Sequence, residues 1–218
     1  MDQPLLDSVP KRARNSERTK AAILVAGRAE FAARGFEGAR VDAIATLAGA
    51  NKRLLYHYFG NKEELYRAVL LDAYQEIRTG ERALSLDQFG PVDAMDRLVR
   101  FTFRHFLANP WFPRLLNTEN IENARFLKTL PDIAALHSPL VGQIKTIVDR
   151  GADAGIFRRD VDPVQLYISI AALGFFYVSN MATLSVIFAR DLSGIDMVQE
   201  REAQAVQMVV DYLKTRAG

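Results

Sequence analysis

The stretch that most constrains the fold lies at residues 41–62, VDAIATLAGANKRLLYHYFGNK. Its first half has apolar residues at helical spacing, so that Val41 and Ile44 fall on one face of a helix. Gly49 comes next and suits the left-handed residue that often ends a helix. Asn51 can cap a second helix by accepting hydrogen bonds from its free backbone N–H groups. The pattern predicts two short helices joined by a tight turn, a helix-turn-helix.

The second helix of this motif has two different faces. The inner face is apolar and consists of Leu55, Tyr58 and Phe59. The outward face is basic and aromatic and consists of Arg53, Tyr56 and His57. In a helix-turn-helix, the second helix enters the major groove of DNA and reads base edges with its exposed side chains. We therefore expect a DNA-binding protein.

The sequence around this motif carries a family resemblance. Between about residues 16 and 70 the motifs FAxxGFEG, IAxxAGxxK and LYHYFxxKEEL follow one another. Together they resemble the N-terminal domain of the TetR family of bacterial transcriptional regulators. The resemblance implies an all-α fold, with an N-terminal three-helix helix-turn-helix domain and a larger C-terminal helical domain for ligand binding and dimerisation. The implied divisions are a disordered basic arm at residues 1–15, a DNA-binding domain at 16–62 and a ligand-binding and dimerisation domain at 63–218.

The resemblance also implies a function. It predicts a sequence-specific transcriptional regulator, a repressor by family habit, that a small-molecule effector releases from a palindromic operator in double-stranded DNA. Two copies are expected to pair through their last two long helices and to present two recognition helices to two half-sites. We expect no enzymatic activity, no cofactor and no membrane partner. The absence of cysteine suits a reducing cytoplasm, where we expect the protein to act.

Eight residues are candidate DNA contacts: Arg14, Arg40, Asn51, Lys52, Arg53, Tyr56, His57 and Lys62. Arg53 is the candidate for direct base readout, because a guanidinium can pair with both acceptors of guanine. Tyr56 and His57 are expected to contact phosphates or thymine methyl groups. The lysines are expected to neutralise the DNA backbone, which positions a protein without specifying sequence.

Several positions depart from the family pattern. Ala39 and Arg40 stand where the family usually has threonine or serine, whose hydroxyl caps the first helix of the motif, and a guanidinium cannot accept that capping bond. Asn51, Arg53 and Leu54 stand where the family often has serine, glycine and threonine. Gly60 stands where proline is frequent.

The charge of the chain is unevenly distributed. Residues 1–62 contain 11 Lys/Arg against 6 Asp/Glu, whereas the remainder has 17 against 20. A basic N-terminal part on a mildly acidic body is expected where one end of a protein binds phosphates. Lys11, Arg12 and Arg14 form a basic arm before helix 1, which we expect to begin near Ser16. Two interpretations of the arm remain, a solvated tail or an arm that contacts phosphates or the minor groove.

A pocket for the effector is expected among the aromatic and polar residues of the C-terminal part. The candidate lining residues are Phe103, Asn117, Asn120, Arg125, Phe176 and Tyr177. The polar stretch at residues 117–125 either lines this pocket or forms a solvated short helix, because polar groups beside apolar sequence fit both interpretations.

Residues 164–189 form a run of 26 residues without a charge. Such a run is long enough to span a bilayer, but several polar residues dilute it and no basic cluster flanks it. Asp162 and Pro163 instead form the typical start of a helix in a soluble protein. A helix that is apolar on nearly all faces in a soluble protein is buried on both sides, and the family resemblance implies that it pairs with its copy in a second subunit. Ala171, Ala172 and Gly174 would let the helices approach closely.

The sequence disfavours two other classes of protein. An enzyme is disfavoured because His57, His105 and His137 have no metal-type spacing and no catalytic motif occurs. No metal site is therefore expected. A helical interaction protein with a degenerate, non-binding helix-turn-helix is disfavoured by the basic residues Lys52, Arg53 and Lys62.

Overall fold

The computed structural model describes residues 11–131 and 133–214, with side chains from residue 15 onward. Within these ranges the chain forms nine α-helices and no β-strand. In chain order they are α1 (Lys11–Gly38), α2 (Val41–Leu47), α3 (Lys52–Phe59), α4 (Lys62–Ala83), α5 (Pro91–Ala108), α6 (Trp111–Ile121), α7 (Ile133–Asp153), α8 (Pro163–Ile187) and α9 (Ile195–Leu213). The predicted all-α class is confirmed.

The chain divides into two compact units. The first runs to Asp72 and also contains Thr118–Thr129, and the second contains Ala73–Asn117 and the chain from Leu130. This grouping differs from the predicted division at residue 62. The first half of α4 packs in the first unit, because Leu65, Tyr66 and Val69 are fully buried there.

The first unit is built around a cluster of aromatic rings. Gly35 has φ 67° and breaks α1 in its last turn, so that Phe36 turns inward beside Phe31. The ring of Phe36 lies 4.3 Å from that of Phe126, and Tyr66 lies 4.9 Å from Phe126. Phe126 comes from the Thr118–Thr129 segment, which therefore completes the core of this unit. The tilted and edge-on arrangements are those that aromatic pairs prefer.

The start of α1 corrects one expectation. The helix begins at Lys11, five residues before the predicted start at Ser16, so the 11–15 part of the expected disordered arm is helical. Lysine and arginine are good helix formers, and a basic run does not end a helix. The expectation for residues 1–10 lies outside the described residues.

The second unit has an extended apolar core between α5, α7, α8 and α9. Its centre contains Leu98, Ile144, Ile170 and Val209, all nearly inaccessible to water. Gly174 of α8 is buried, and a Cβ there would lie 3.3 Å from the backbone of Phe103. The small residue at 174 therefore serves close packing of α8 against α5 within the chain.

Helix α8 is only partly buried within the single chain. By length and composition it could cross a membrane, yet only 17% of its most apolar window is buried inside the chain. The exposed apolar residues on α8 and just after it include Val164, Ile168, Phe176, Val186, Ile187 and Phe188. One side of α8 faces the core of the chain, and the predicted burial of its other side against a second copy stays a prediction, since the structure contains a single chain. An uncovered apolar face of this size marks an interaction surface.

Candidate nucleic-acid interface

The helix-turn-helix forms as the spacing predicts. Val41, Ile44 and Leu55 are buried and join α2 to α3. Gly49 has φ 63°, the left-handed conformation that a residue without Cβ adopts at little cost. The Asn51 side chain accepts a hydrogen bond of 2.8 Å from the backbone N–H of Leu54, which caps α3. The predicted capping role of Asn51 is confirmed.

The outward face of α3 carries three exposed side chains, Arg53, Tyr56 and His57. Among the described residues, Arg53 has no hydrogen-bond or ion-pair partner within the chain, so its guanidinium is available to an external acceptor. The ring of His57 lies 5.4 Å from that of Tyr58, which is only half-buried. The structure therefore brings together the predicted base-reading residue and the two predicted flanking contacts.

The two predicted backbone-contacting lysines are held by the unit itself. The Lys52 ammonium lies 3.0 Å from a carboxylate oxygen of Asp42, and this hydrogen bond raises the pKa of Lys52. The Lys62 ammonium donates to the backbone carbonyl of Glu37 at 3.2 Å and lies 4.8 Å from the centre of the Phe36 ring. Sequence reasoning did not identify these partners, because each lies at least ten residues away along the chain. These interactions fix where the two positive charges stand.

Helix α2 lacks a side-chain cap, as the departure at residue 40 predicts. Arg40 occupies the N-cap position without a capping hydrogen bond from its side chain. Its backbone N–H instead donates to the Glu30 carboxylate at 3.0 Å, and its side chain is exposed. The side chain of Arg14, the remaining candidate contact, lies outside the described residues.

The departure from the family pattern at Gly60 affects the backbone. Gly60 ends α3 with φ 77°, a conformation closed to proline, whose ring fixes φ near −65°. The turn into α4 is then set by Asn61, whose side chain accepts the Glu64 N–H at 2.9 Å. Glycine at this position therefore permits a backbone conformation that proline cannot adopt, directly before the start of α4.

Two family profiles match much of the chain. One, described as "Bacterial regulatory proteins, tetR family", matches residues 23–69. The other, described as "Tetracyclin repressor-like, C-terminal domain", matches residues 91–209, more than half of the sequence. The chain belongs to the TetR family. This TetR-family protein is therefore a helix-turn-helix transcriptional regulator with a C-terminal dimerisation and ligand domain, and not an enzyme.

Two named repressors resemble this TetR-family regulator over most of their length. The transcriptional repressor NicS of Pseudomonas putida is 37% identical over 182 residues, which are 84% of this chain and 86% of the relative. The transcriptional repressor SCO4008 of Streptomyces coelicolor is 31% identical over 205 residues, 91% of this chain and 98% of the relative. The predicted family and the general function of a DNA-binding transcriptional repressor are confirmed.

Solved structures show the same fold. A TetR family transcription regulator from Marinobacter aquaeolei superposes with a TM-score of 0.71 at 23% identity, covering 94% of this chain and 100% of that one. The ketosteroid transcriptional regulator KstR2 of Mycobacterium tuberculosis gives a TM-score of 0.66 at 20% identity, covering 96% and 98%. At these identities the likeness concerns the fold alone.

The six predicted pocket residues of this TetR-family regulator do not meet in one cavity. Phe103 and Tyr177 are buried together with Val198 in a small core cluster. Phe176 is exposed on α8, and Asn117 lines a separate cavity of about 470 Å³ beside α8. The remaining two, Asn120 and Arg125, belong to the first unit.

The polar stretch at 117–125 has a role that neither interpretation anticipated. The Arg125 guanidinium lies 3.7 Å from the Glu37 carboxylate and 3.5 Å from that of Glu63. Glu119 is buried, and its carboxylate accepts the Leu127 N–H at 2.9 Å. Through Arg125, this stretch therefore attaches the segment Thr118–Thr129 to the rest of the first unit.

Sequence reasoning also missed a buried pair of opposite charges on α4, Arg78 and Glu81. One signal could have found it. Glu81 lies four residues after Ile77, at the position where the buried stripe of α4 continues. A charged residue that falls on the buried face of a helix is a candidate for a buried functional group.

Proposed function

We propose that the protein is a homodimeric repressor that binds a palindromic operator through α3 and leaves it when a small-molecule effector binds the second unit. The proposal rests above all on the exposed face of α3, where Arg53 lies beside Tyr56 and His57 and has no partner among the described residues. Two relatives that cover most of the chain are named repressors, which supports repression over activation.

Each predicted DNA contact receives a role in this proposal. Arg53 reads a guanine through its O6 and N7 acceptors, and Tyr56 and His57 contact phosphates or thymine methyl groups. Lys52, Lys62, Arg40 and Arg14 neutralise phosphates, and Asn51 holds the start of α3 in place. Sequence recognition then depends on one side chain more than on any other.

The dimer interface of the proposal is the uncovered face of the last two long helices. Phe176 on α8 and Met208 and Tyr212 on α9 are each at least half exposed in the single chain. Pairing two copies across this face removes apolar surface from water, the dominant favourable term in most protein association. A twofold dimer presents two copies of α3, which read half-sites about 34–36 Å apart. A regulator of this kind acts in the cytoplasm, where the operator is found.

Release by the effector requires only a modest coupling. To weaken operator affinity about 100-fold, the effector must favour the non-binding state by about 2.7 kcal/mol. Helix α4 is the expected relay, since one continuous helix carries Lys62 in its first turn and continues into the second unit. A structure of the effector complex with an unchanged separation of the two recognition helices would contradict this relay.

The test is selection of genomic DNA fragments by the purified protein at near-physiological salt, followed by sequencing. We expect recovery of a short palindrome. Arg53→Ala should remove the preference for guanine at its position in each half-site, because it removes a base interaction worth about 1–3 kcal/mol of discrimination there. Arg159→Ala, which removes an exposed arginine of the second unit, is the matched control and should recover the same palindrome.

Recovery of bulk DNA without a common sequence would contradict the proposal, and so would an unchanged palindrome with Arg53→Ala. The first outcome would favour a helical interaction protein whose helix-turn-helix no longer reads sequence.

A further inference from the structure

The second unit buries a pair of opposite charges. Arg78 is 3% exposed and Glu81 is 2% exposed, one turn apart on α4. The Arg78 Nη1 atom lies 3.0 Å from Glu81 Oε2. On its other side, Nη2 donates a hydrogen bond of 3.1 Å to the hydroxyl oxygen of Tyr167 on α8. The pair is therefore held in place by two helices of the same unit.

The hydrogen-bonding capacity of this pair is partly unused. Arg78 Nη1 and Glu81 Oε2 face each other in the ion pair, whereas the buried Arg78 Nε and Glu81 Oε1 atoms have no hydrogen-bond partner among the described residues. Buried polar groups are nearly always hydrogen-bonded, because leaving one without a partner costs about 1–3 kcal/mol, and more for a charge. The two atoms without a partner, one on each side chain, indicate a candidate ligand-binding site.

A cavity lies beside these two residues. It has a volume of about 280 Å³ and is lined by Arg78, Glu81, Arg82, Leu136, Pro139, Leu140 and Gln143. The volume is near the lower end of ligand pockets, which are about 300–1,000 Å³. Apolar side chains of α7 form one wall, and a few convergent polar groups form the other. This combination is typical of a site for a small organic molecule.

We propose that this cavity is the effector site and that it binds a small monocarboxylic acid, whose carboxylate pairs with Arg78. The inference rests on the proposed function for its regulatory meaning. Leu136, Pro139 and Leu140 pack against the apolar body of the acid. The Gln143 amide offers a donor and an acceptor for one further polar group.

The charge balance of the cavity selects an anion. Arg78 is always protonated, and Arg82 adds a second guanidinium to the lining. Burial raises the pKa of Glu81 to about 7, although both arginines oppose the shift, so near neutral pH its carboxyl is only partly ionised. A carboxylate ligand supplies the missing negative charge and can accept from the guanidinium in a bidentate manner. A cationic ligand would instead be repelled by Arg78.

The experiment measures binding to the full-length protein in the absence of DNA, by isothermal titration calorimetry and thermal shift. The probes are benzoate, cyclohexanecarboxylate and hexanoate, each paired with its neutral carboxamide. We expect at least one acid to bind with a Kd below about 1 mM, and its carboxamide to bind at least about tenfold more weakly. Arg78→Gln should reduce the affinity for the acid by at least about tenfold. The control Arg159→Gln, on an arginine that does not line the cavity, should leave it unchanged.

A second variant guards against the unfolding of Arg78→Gln, which leaves Glu81 buried without its partner. Leu136→Trp fills the cavity while keeping both charges, and it should also abolish binding in a protein whose circular dichroism is that of a folded helical chain. Equal binding of acid and carboxamide, retained binding in either variant, or no acid bound at about 1 mM would overturn the inference.

The outcomes separate this inference from the proposed function. An operator-binding protein that binds no acid refutes the cavity assignment and leaves repression intact. A protein that binds an acid through Arg78, but whose operator complex does not respond to that acid, refutes the effector role instead.

Discussion

The two units of the protein handle charge in opposite ways. In the first unit, Arg53 is exposed without an internal partner, and Lys52 is held at the surface by Asp42. In the second unit, Arg78 and Glu81 are buried and keep unused hydrogen-bonding atoms. An exposed charge has a small effect on the free energy of folding and is accessible to a macromolecule such as DNA. A buried charge has a large desolvation penalty and is accessible only to a ligand small enough to enter the protein.

Apolar surface gives a second contrast. The first unit covers its aromatic cluster with Phe126, which is 1% exposed, whereas the second leaves Phe176 58% exposed. The first unit therefore completes its own core, and the second presents an apolar surface that another molecule can cover.

The largest expected effect breaks the core of the first unit. Phe126→Ala removes a ring that packs against Phe36 and Tyr66, and it should lower the free energy of unfolding by about 3–5 kcal/mol. The measurement is denaturant unfolding followed by circular dichroism. The control is Val25→Ala on the exposed side of α1, which should stay within about 0.5 kcal/mol of the wild type. Equal stability of the two variants would mean that the segment Thr118–Thr129 is not part of this core.

The next effect concerns the buried carboxyl of the second unit. The pKa of Glu81 is raised from 4.5 to about 7, so the folded protein holds this proton more tightly than the unfolded chain does. Its contribution to the free energy of unfolding should therefore fall as the pH rises from about 4.5 to 7, by at most about 3 kcal/mol, and level off above.

Glu81→Gln removes this titration, so the stability of the variant relative to the wild type should increase over the same pH range. Urea unfolding at a series of pH values measures the difference. Parallel pH profiles for the two proteins would show that Glu81 ionises normally.

The smallest effect sharpens the contrast between the units. Lys62→Ala should weaken operator binding by less than about 1 kcal/mol at physiological salt, because one screened phosphate interaction disappears from each half-site. The plot of log K against log salt should become shallower by about 0.9 for each phosphate that the protein no longer neutralises. Lys145→Ala, on an exposed lysine of the second unit, should leave both values unchanged. An equal change in operator affinity and salt slope in both variants would mean that the effect comes from the net charge of the protein and not from a contact of Lys62 with DNA.

The helix-turn-helix could be predicted because its signals are local. The spacing of Val41 and Ile44, the left-handed glycine at 49 and the cap at Asn51 all act within a few residues of one another. The all-α class followed from the family resemblance that these same local motifs carry. These elements are determined by interactions between residues that are close in the chain, so they can be predicted from one sequence.

The features that could not be predicted depend on interactions between distant residues. Arg125 meets Glu63 across 62 positions, so the polar stretch resembled a pocket or a solvated helix until its partners were known. Arg78 and Glu81 are three residues apart, the spacing of an ordinary surface ion pair on a helix. Their burial is decided by α7 and α8, which pack over them from far along the chain.

The absence of an internal partner for Arg53 bears on how such a protein can change over generations. Replacement of this side chain disturbs no ion pair or hydrogen bond within the described part of the chain, so under the proposed function a new operator preference can arise at little cost to folding. Lys52 lacks this freedom, since it also ties α3 to α2 through Asp42. If Arg53 reads a base as proposed, a duplicated copy of the gene can acquire new target genes by single changes at residue 53 without a change in the second unit.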